Sequence, residues 1–201
     1  MLDRPLRPLL DMPLNAGARL LLRTKLSANA LTLLGAVLAP LVALTIADGR
    51  FGLALLLLAI NRILDGLDGA LARLRGSTAF GGYLDSVCDY LFYAAVPLAF
   101  AWLDPAANAL AAAAVLASFL LTASSFLAYA AVAATRNAAP TPTAGKSFVY
   151  SRGLIEGTET IAFFVAMLLW PAQFVLLAWT LAALCVLTTL LRVRDSARRL
   201  A

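Results

Sequence analysis

From residue 31 onward the chain is a succession of apolar runs, each close to the 17 to 25 residues that a helix needs to cross a bilayer. They fall at residues 31–47, 51–74, 80–102, 106–134, 154–170 and 172–191. Turn-forming residues separate them: Asp48, Gly49 and Arg50; Gly76 and Ser77; Asp104 and Pro105; the stretch 139–145 with two prolines; and Trp170 with Pro171. In hydrocarbon a span must satisfy its own backbone hydrogen bonds, which a helix does. The chain is 62% hydrophobic and only 13% charged over 201 residues, against about 25% charged in an average soluble domain. No sizeable soluble module fits beside the apolar runs. The expected fold is an all-α integral membrane protein forming one membrane domain over residues 1–201. Residues 1–27 are predicted to hold an interfacial amphipathic helix, residues 28–191 six transmembrane helices in one bundle, and residues 192–201 a cytoplasmic tail.

The first segment is no secretory signal, because Arg4, Arg7, Asp11, Arg19 and Arg23 interrupt it. Leu6, Leu9, Leu10, Leu14 and Leu21 recur among those charges at helical spacing, the pattern of a helix lying in the membrane surface. Six spans place both termini on one side, and the sixteen Lys and Arg decide which. All of them except Arg50 and Arg62 fall in the N-terminal segment, the second-to-third connection, the fourth-to-fifth connection or the tail. Cytoplasmic segments carry such an excess, so both termini are predicted cytoplasmic in a multi-pass inner (cytoplasmic) membrane protein. The net charge of +5 then reflects topology and anionic lipid headgroups in the bilayer, and no nucleic acid is expected as a partner.

The chain has no histidine, which excludes histidine metal ligands, histidine bases and every Ser-His-Asp or Cys-His arrangement. Its two cysteines, Cys88 and Cys185, lie far apart within apolar runs and read as packing residues. Chemistry must run on carboxylates, cations and hydroxyls.

Carboxylates are present where they are most costly. The second and third runs contain Asp65, Asp68, Asp85 and Asp89, with Arg62 and Arg73 nearby. At about 100° per residue, Asp65, Asp68, Gly69, Ala72 and Arg73 share one arc of a helix. Asp85 and Asp89 are neighbours one turn apart on the next, with Gly81 a turn earlier. At about 1.5 Å per residue, Asp65 and Asp68 lie about 21 and 25 Å from Phe51, and Asp89 and Asp85 about 20 and 25 Å from Trp102. On antiparallel neighbours the two pairs meet level. Four facing carboxylates repel unless neutralised, and divalent cations with a preference for oxygen ligands, magnesium, manganese or calcium, would neutralise them. Two alternatives stand beside this: ion pairs with Arg62, Arg73 and Arg75 that only fix helix packing, and a transporter that carries cations on these carboxylates.

The stretch DGLDGALARLRGSTAFGGYLDSVCD, residues 65–89, resembles the signature of the CDP-alcohol phosphotransferase family, the CDP-alcohol phosphatidyltransferases: D-x2-D-G-x2-A-R-x7-8-G-x3-D-x3-D. Asp65, Asp68, Gly69, Ala72, Arg73, Gly81, Asp85 and Asp89 fill every fixed position. The segment SANALT from Ser27 to Thr32 is similar to the one that opens the family's first span, except that Ala28 stands where proline is usual. The resemblance implies a metal-dependent transferase of phospholipid biosynthesis. Such an enzyme passes the phosphatidyl group of CDP-diacylglycerol to a small alcohol acceptor, polyol phosphates among them, and releases CMP. It further implies two divalent cations, Mg2+ or Mn2+, held by Asp65, Asp68, Asp85 and Asp89, with Asp89 also the catalytic base for the acceptor hydroxyl. Gly69, Ala72, Arg73 and Gly81 would bind the CDP portion, the active site would open to the cytoplasm, and the protein would be a homodimer. A catalytically silent lipid- or nucleotide-binding relative is the alternative within the same family.

The acceptor leaves weaker traces. Arg136, Lys146 and Arg152 are candidates for holding an acceptor phosphate, or are ordinary cytoplasmic positive charge. Glu156 and Glu159 in GLIEGTET are candidates for acceptor recognition, or acids that stabilise a helix start. Arg62, three residues before Asp65, is expected to restrain that carboxylate. Trp102 and Trp170 mark span ends.

Overall fold

The computed structural model describes residues 3–135 and 154–200, and among them the chain is helical throughout, with no strand. The helices are α1 (Asp3–Leu21), α2 (Ala28–Ala47), α3 (Phe51–Arg75), α4 (Ala79–Leu103), α5 (Pro105–Thr135), α6 (Gly157–Leu169) and α7 (Phe174–Leu200). A single 3-10 turn, Pro171–Gln173, joins the last two. Local chemistry sets several boundaries. The Ser27 hydroxyl accepts from the Ala30 N–H at 3.1 Å and starts α2, which puts Ala28 at the first helical position. Proline is favoured there, and alanine fits equally, so the departure at Ala28 leaves the helix start unchanged. Thr78 starts α4 in the same way through the Gly81 N–H. Gly49 (φ +72°) and Gly76 (φ +99°) supply the left-handed residues that close α2 and α3.

α2, α4, α5 and α7 are long and apolar enough to cross a membrane. α3 is just as long, but Arg62, Asp65, Asp68, Arg73 and Arg75 lower its hydropathy. α6 has only 13 residues, about 20 Å at 1.5 Å each, where the sequence suggested a run over 154–170. Its start is delayed to Gly157 by the cap at Glu156, and Pro171 follows its end. α7 passes the expected boundary at residue 191 and continues to Leu200, so the residues expected to form a separate tail extend the last helix.

The packing order positions the functional residues. α3 and α4 each lie along α2 but make almost no close backbone approach to one another. α4 continues onto α5 and α5 onto α7, while α6 touches α3 and α7. α1 docks on α3 by reciprocal interlocking: a Cβ at Gly66 would meet Leu14 at 2.7 Å, and one at Gly17 would meet Leu67 at 2.8 Å. Arg75 fastens this arrangement by donating to the carbonyls of Leu21, Thr24 and Leu26, between the end of α1 and the start of α2. The large core, with Phe92, Phe100, Phe164 and Phe174 fully buried, fills the opposite half of the bundle.

Candidate metal centre and nucleotide site

Because α2 backs both α3 and α4, a cleft remains between the two acid-bearing helices. Thr32, Gly35 and Ala36 from α2, Asn61, Arg62, Asp65 and Asp68 from α3, and Asp85, Cys88 and Asp89 from α4 line it. Carboxylate oxygens of Asp65, Asp68 and Asp85 lie within 4.8 Å of one another. The room left between the lining side chains is about 10 Å³, enough for about one water-sized sphere.

Each acid is held differently. Asp68 is 5% exposed and accepts the Thr32 hydroxyl at 2.7 Å, a bond from α2 to α3 that fixes one carboxylate oxygen. Asp65 lies 3.6 Å from Arg62 Nη1, and Asp89 Oδ1 lies 3.5 Å from Arg62 Nη2, so one guanidinium spans α3 and α4. Arg62 is itself anchored: Asn61 Oδ1 accepts from its Nε at 2.8 Å and from its Nη2, while Asn61 Nδ2 donates to the Gly35 carbonyl at 2.9 Å. The Phe92 ring lies beneath, 5.1 Å from the guanidinium carbon. Asp85 completes the trio, and among the described residues no basic side chain is bridged to it.

The four acids outnumber the cation that pairs with them. Among the described residues Arg62 is the only base bridged to any of them. Arg73 turns away to Asp11 of α1 at 3.6 Å, and Arg75 is taken up by backbone carbonyls. The packing-only alternative needed all three arginines on the acids, and two are engaged elsewhere. A donor set of carboxylate oxygens with surplus negative charge suits a hard divalent ion, magnesium, manganese or calcium.

The remaining candidate residues fall into four groups. Gly69 and Arg73 adjoin, with Arg73 Nη1 3.5 Å from where a Gly69 Cβ would be, and Ala72 is half-buried on the same helix. Gly81 is tightly packed: a Cβ there would come within 3.0 Å of Thr78 Oγ1 and 3.2 Å of Asn29 Oδ1. The SANALT segment thus contributes Ser27 to a cap, Asn29 against Gly81 and Thr32 to Asp68. Glu156 and Glu159 form a reciprocal capping box at the start of α6, where the Glu159 carboxylate accepts the Glu156 N–H at 3.1 Å. Arg136, Lys146 and Arg152 lie outside the described residues.

Three features escaped the sequence reading. Asn61, one turn before Asp65, is the anchor of Arg62, and its helical spacing from Asp65 was the available signal. Cys88, read as a packing residue, lines the cleft beside Asp85 and Asp89. Arg192, counted as tail charge, is only 6% exposed inside the bundle. Its Nη1 donates to the Thr122 carbonyl at 3.2 Å, and its Nε is buried without a hydrogen-bond partner among the described residues. A second, largely apolar cavity of about 230 Å³ between α5 and α7 is lined by Arg192, Ser125, Tyr129 and Ser196 among others.

The chain is similar to known proteins in sequence and in fold. The family model described as CDP-alcohol phosphatidyltransferase matches residues 25–191. The chain is 46% identical to inner membrane protein YnjF of Escherichia coli over 193 residues, 96% of this chain and 94% of that protein. It is 36% identical over 92 residues to the archaetidylinositol phosphate synthase of Pyrococcus horikoshii, covering 45% of this chain and 49% of that one. Its fold is similar to that of the phosphatidylinositol phosphate synthase of Mycobacterium tuberculosis with CDP-DAG bound (TM-score 0.71, 24% identity, 91% of this chain and 92% of that one). The same enzyme in complex with manganese and citrate superposes with a TM-score of 0.70 at 24% identity, over 91% of this chain and 88% of that one.

Proposed function

Since the chain belongs to the CDP-alcohol phosphatidyltransferase family, we propose that it transfers the phosphatidyl group of CDP-diacylglycerol to a small, phosphate-bearing polyol and releases CMP. The observation that carries this reading is the carboxylate cluster of Asp65, Asp68 and Asp85, with Asp89 beside it, facing a cleft between two helices that do not otherwise close on each other.

Asp65, Asp68, Asp85 and Asp89 would hold Mg2+ or Mn2+, two ions when fully loaded, and bound divalent cations would neutralise the diphosphate of the donor. Asp89 takes the proton of the acceptor hydroxyl. The acceptor oxygen then bonds to the phosphorus that carries diacylglycerol, and the bond from that phosphorus to the CMP oxygen breaks. Gly69 and Ala72 leave the face of α3 low where the nucleotide would lie. Arg73, whose Nη1 lies over Gly69 while its Nη2 pairs with Asp11, would exchange that partner for phosphate oxygens when the nucleotide binds. Gly81 serves the site by letting α2 and α4 approach at Asn29.

The acceptor is read as phosphorylated from its cations. Arg192 offers a buried N–H that has no partner among the described residues, and Arg136, Lys146 and Arg152 are assigned to the same task from the sequence. Two of the similar proteins are inositol phosphate lipid synthases by name, which favours an inositol phosphate within this class. Glu156 and Glu159 combine their capping duty with recognition of polyol hydroxyls.

The proposed setting is the inner membrane, with six spans, a cytoplasmic site and both termini cytoplasmic. α3 is long enough to cross, and α6 crosses together with its flanks at Leu154, Ile155 and Trp170. The domain is single, α1 lies along the surface, and the working form is a homodimer. The test is purified protein with labelled CDP-diacylglycerol, Mg2+ or Mn2+, and a panel of inositol phosphate, glycerol 3-phosphate, inositol and serine. Metal-dependent CMP release with a phosphorylated polyol is the expected result. Release with unphosphorylated alcohols only overturns the acceptor class, and no release with any acceptor would leave a nucleotide-binding relative.

A further inference from the structure

The guanidinium of Arg62 does more than restrain a neighbour on its own helix. It reaches Asp65 on α3 and Asp89 on α4 at nearly equal distances, 3.6 and 3.5 Å, across a gap that the two backbones leave open. Its position is fixed from behind by Asn61, which is 4% exposed and tied to the Gly35 carbonyl of α2, and from below by the Phe92 ring. Three helices therefore converge on one anchored positive charge in the wall of the acid cleft. Long basic side chains that merely neutralise a surface are not anchored in this way. Here two hydrogen bonds to one amide oxygen orient the guanidinium plane.

We propose that Arg62 is a resident counter-ion: it holds Asp65 and Asp89 at working separation when no divalent ion is bound, and it opposes the entry of such an ion, so that the site binds its metal exchangeably. The sign follows from Coulomb's law. Four carboxylates without a companion cation would attract a divalent ion very strongly and repel one another when it left, and a fixed positive charge moderates both effects. Like charges at such range in a protein interior change an equilibrium by at least about tenfold. Arg62 is a positioning residue, acting on metal and substrate through the two aspartates.

The inference rests on the reading that Asp65, Asp68 and Asp85 hold a divalent ion, and its test separates the two. Mn2+ affinity is measured on purified protein without nucleotide or acceptor, at fixed pH, by electron paramagnetic resonance of free Mn2+, with thermal unfolding recorded alongside. Wild type should bind Mn2+; if it does not, the metal reading itself fails. Arg62→Gln should bind Mn2+ at least about tenfold more tightly and should gain more thermal stability from Mn2+ than wild type does. Arg62→Lys, which keeps the charge and loses the fork, should stay within about threefold of wild type. If wild type binds and Arg62→Gln binds equally or more weakly, the counter-ion is overturned while the metal site stands. Equal tightening in Gln and Lys variants overturns it also, because geometry and not charge would then be responsible. Should Arg62→Gln not fold, Asn61→Ala frees the guanidinium without removing it. Tighter Mn2+ binding there supports the proposal, and unchanged or weaker binding overturns it.

Discussion

The two halves of the bundle are held together by different means. Toward the ends of α4 and α7 near Pro171, Phe100 stacks on Phe174 with ring centroids 4.3 Å apart and on Phe51 at 6.0 Å, within a core that draws on α2 through α7. Toward Arg75 the buried apolar cluster shrinks to Ala18, Leu31, Ala70 and Leu71. There the work passes to polar links: Thr32 to Asp68, Asn61 to Gly35, Arg62 to two acids, Arg75 to three carbonyls, Arg73 to Asp11. In lipid, apolar side chains gain from contact more than from leaving water, so the aromatic half owes its stability to close packing. The polar half owes its shape to a few directed bonds. One half can therefore lose stability without losing chemistry, and the other can lose chemistry without losing stability.

Substitutions in each half test that division. The largest effect is expected from Asp89→Asn: CMP release should fall by about 10² to 10⁴, while the unfolding temperature in detergent stays within a few degrees of wild type. Substantial activity in a correctly folded Asn variant would remove Asp89 as the base. Phe100→Ala should do the reverse, costing about 3–5 kcal/mol of stability, or roughly 10 °C in a thermal scan. Its Mn2+ affinity at low temperature should remain that of wild type, and a matching loss there would show that the halves are not separable. Thr32→Val keeps the shape and removes the hydroxyl that orients Asp68. Mn2+ affinity should drop about 10- to 100-fold, read by titration. Smallest is Asp11→Asn, which breaks a partly exposed ion pair and should cost no more than about 1 kcal/mol. Hydrogen exchange across α1 should stay near wild type, because Leu14 against Gly66 remains; rapid exchange would mean that the ion pair, not the interlock, holds α1.

The acid cleft was legible before any coordinates because two rules sufficed. A short turn at Gly76 to Thr78 forces α3 and α4 to share a depth scale, and helical spacing puts each pair of aspartates on one face. Asp65, Asp68 and Asp85 duly converge. The same rules misjudged what depends on a third body. Arg73 shares the arc of Asp65, yet its side chain goes to Asp11, because α1 docks there by a fit of leucine to glycine that periodicity does not encode. Arg192 looked like tail charge because the apolar run ends at 191, but α7 continues helically and its contact with Thr122 draws the residue inward. Cys88 was assigned to packing because a thiol in an apolar run usually is. α2, which holds α3 and α4 apart and so opens the cleft on its side, is invisible to pairwise reasoning.

Among the described residues, those lining the cleft all fall between Thr32 and Asp89. During synthesis, then, these residues leave the ribosome ahead of α5. At about 5 to 20 residues per second, roughly 4 to 16 seconds separate the translation of Asp89 from that of Leu169. Through that interval the nascent chain must carry four acids into the membrane with neither α6 nor α7 to shelter them, and Arg62, translated ahead of them all, is their first escort.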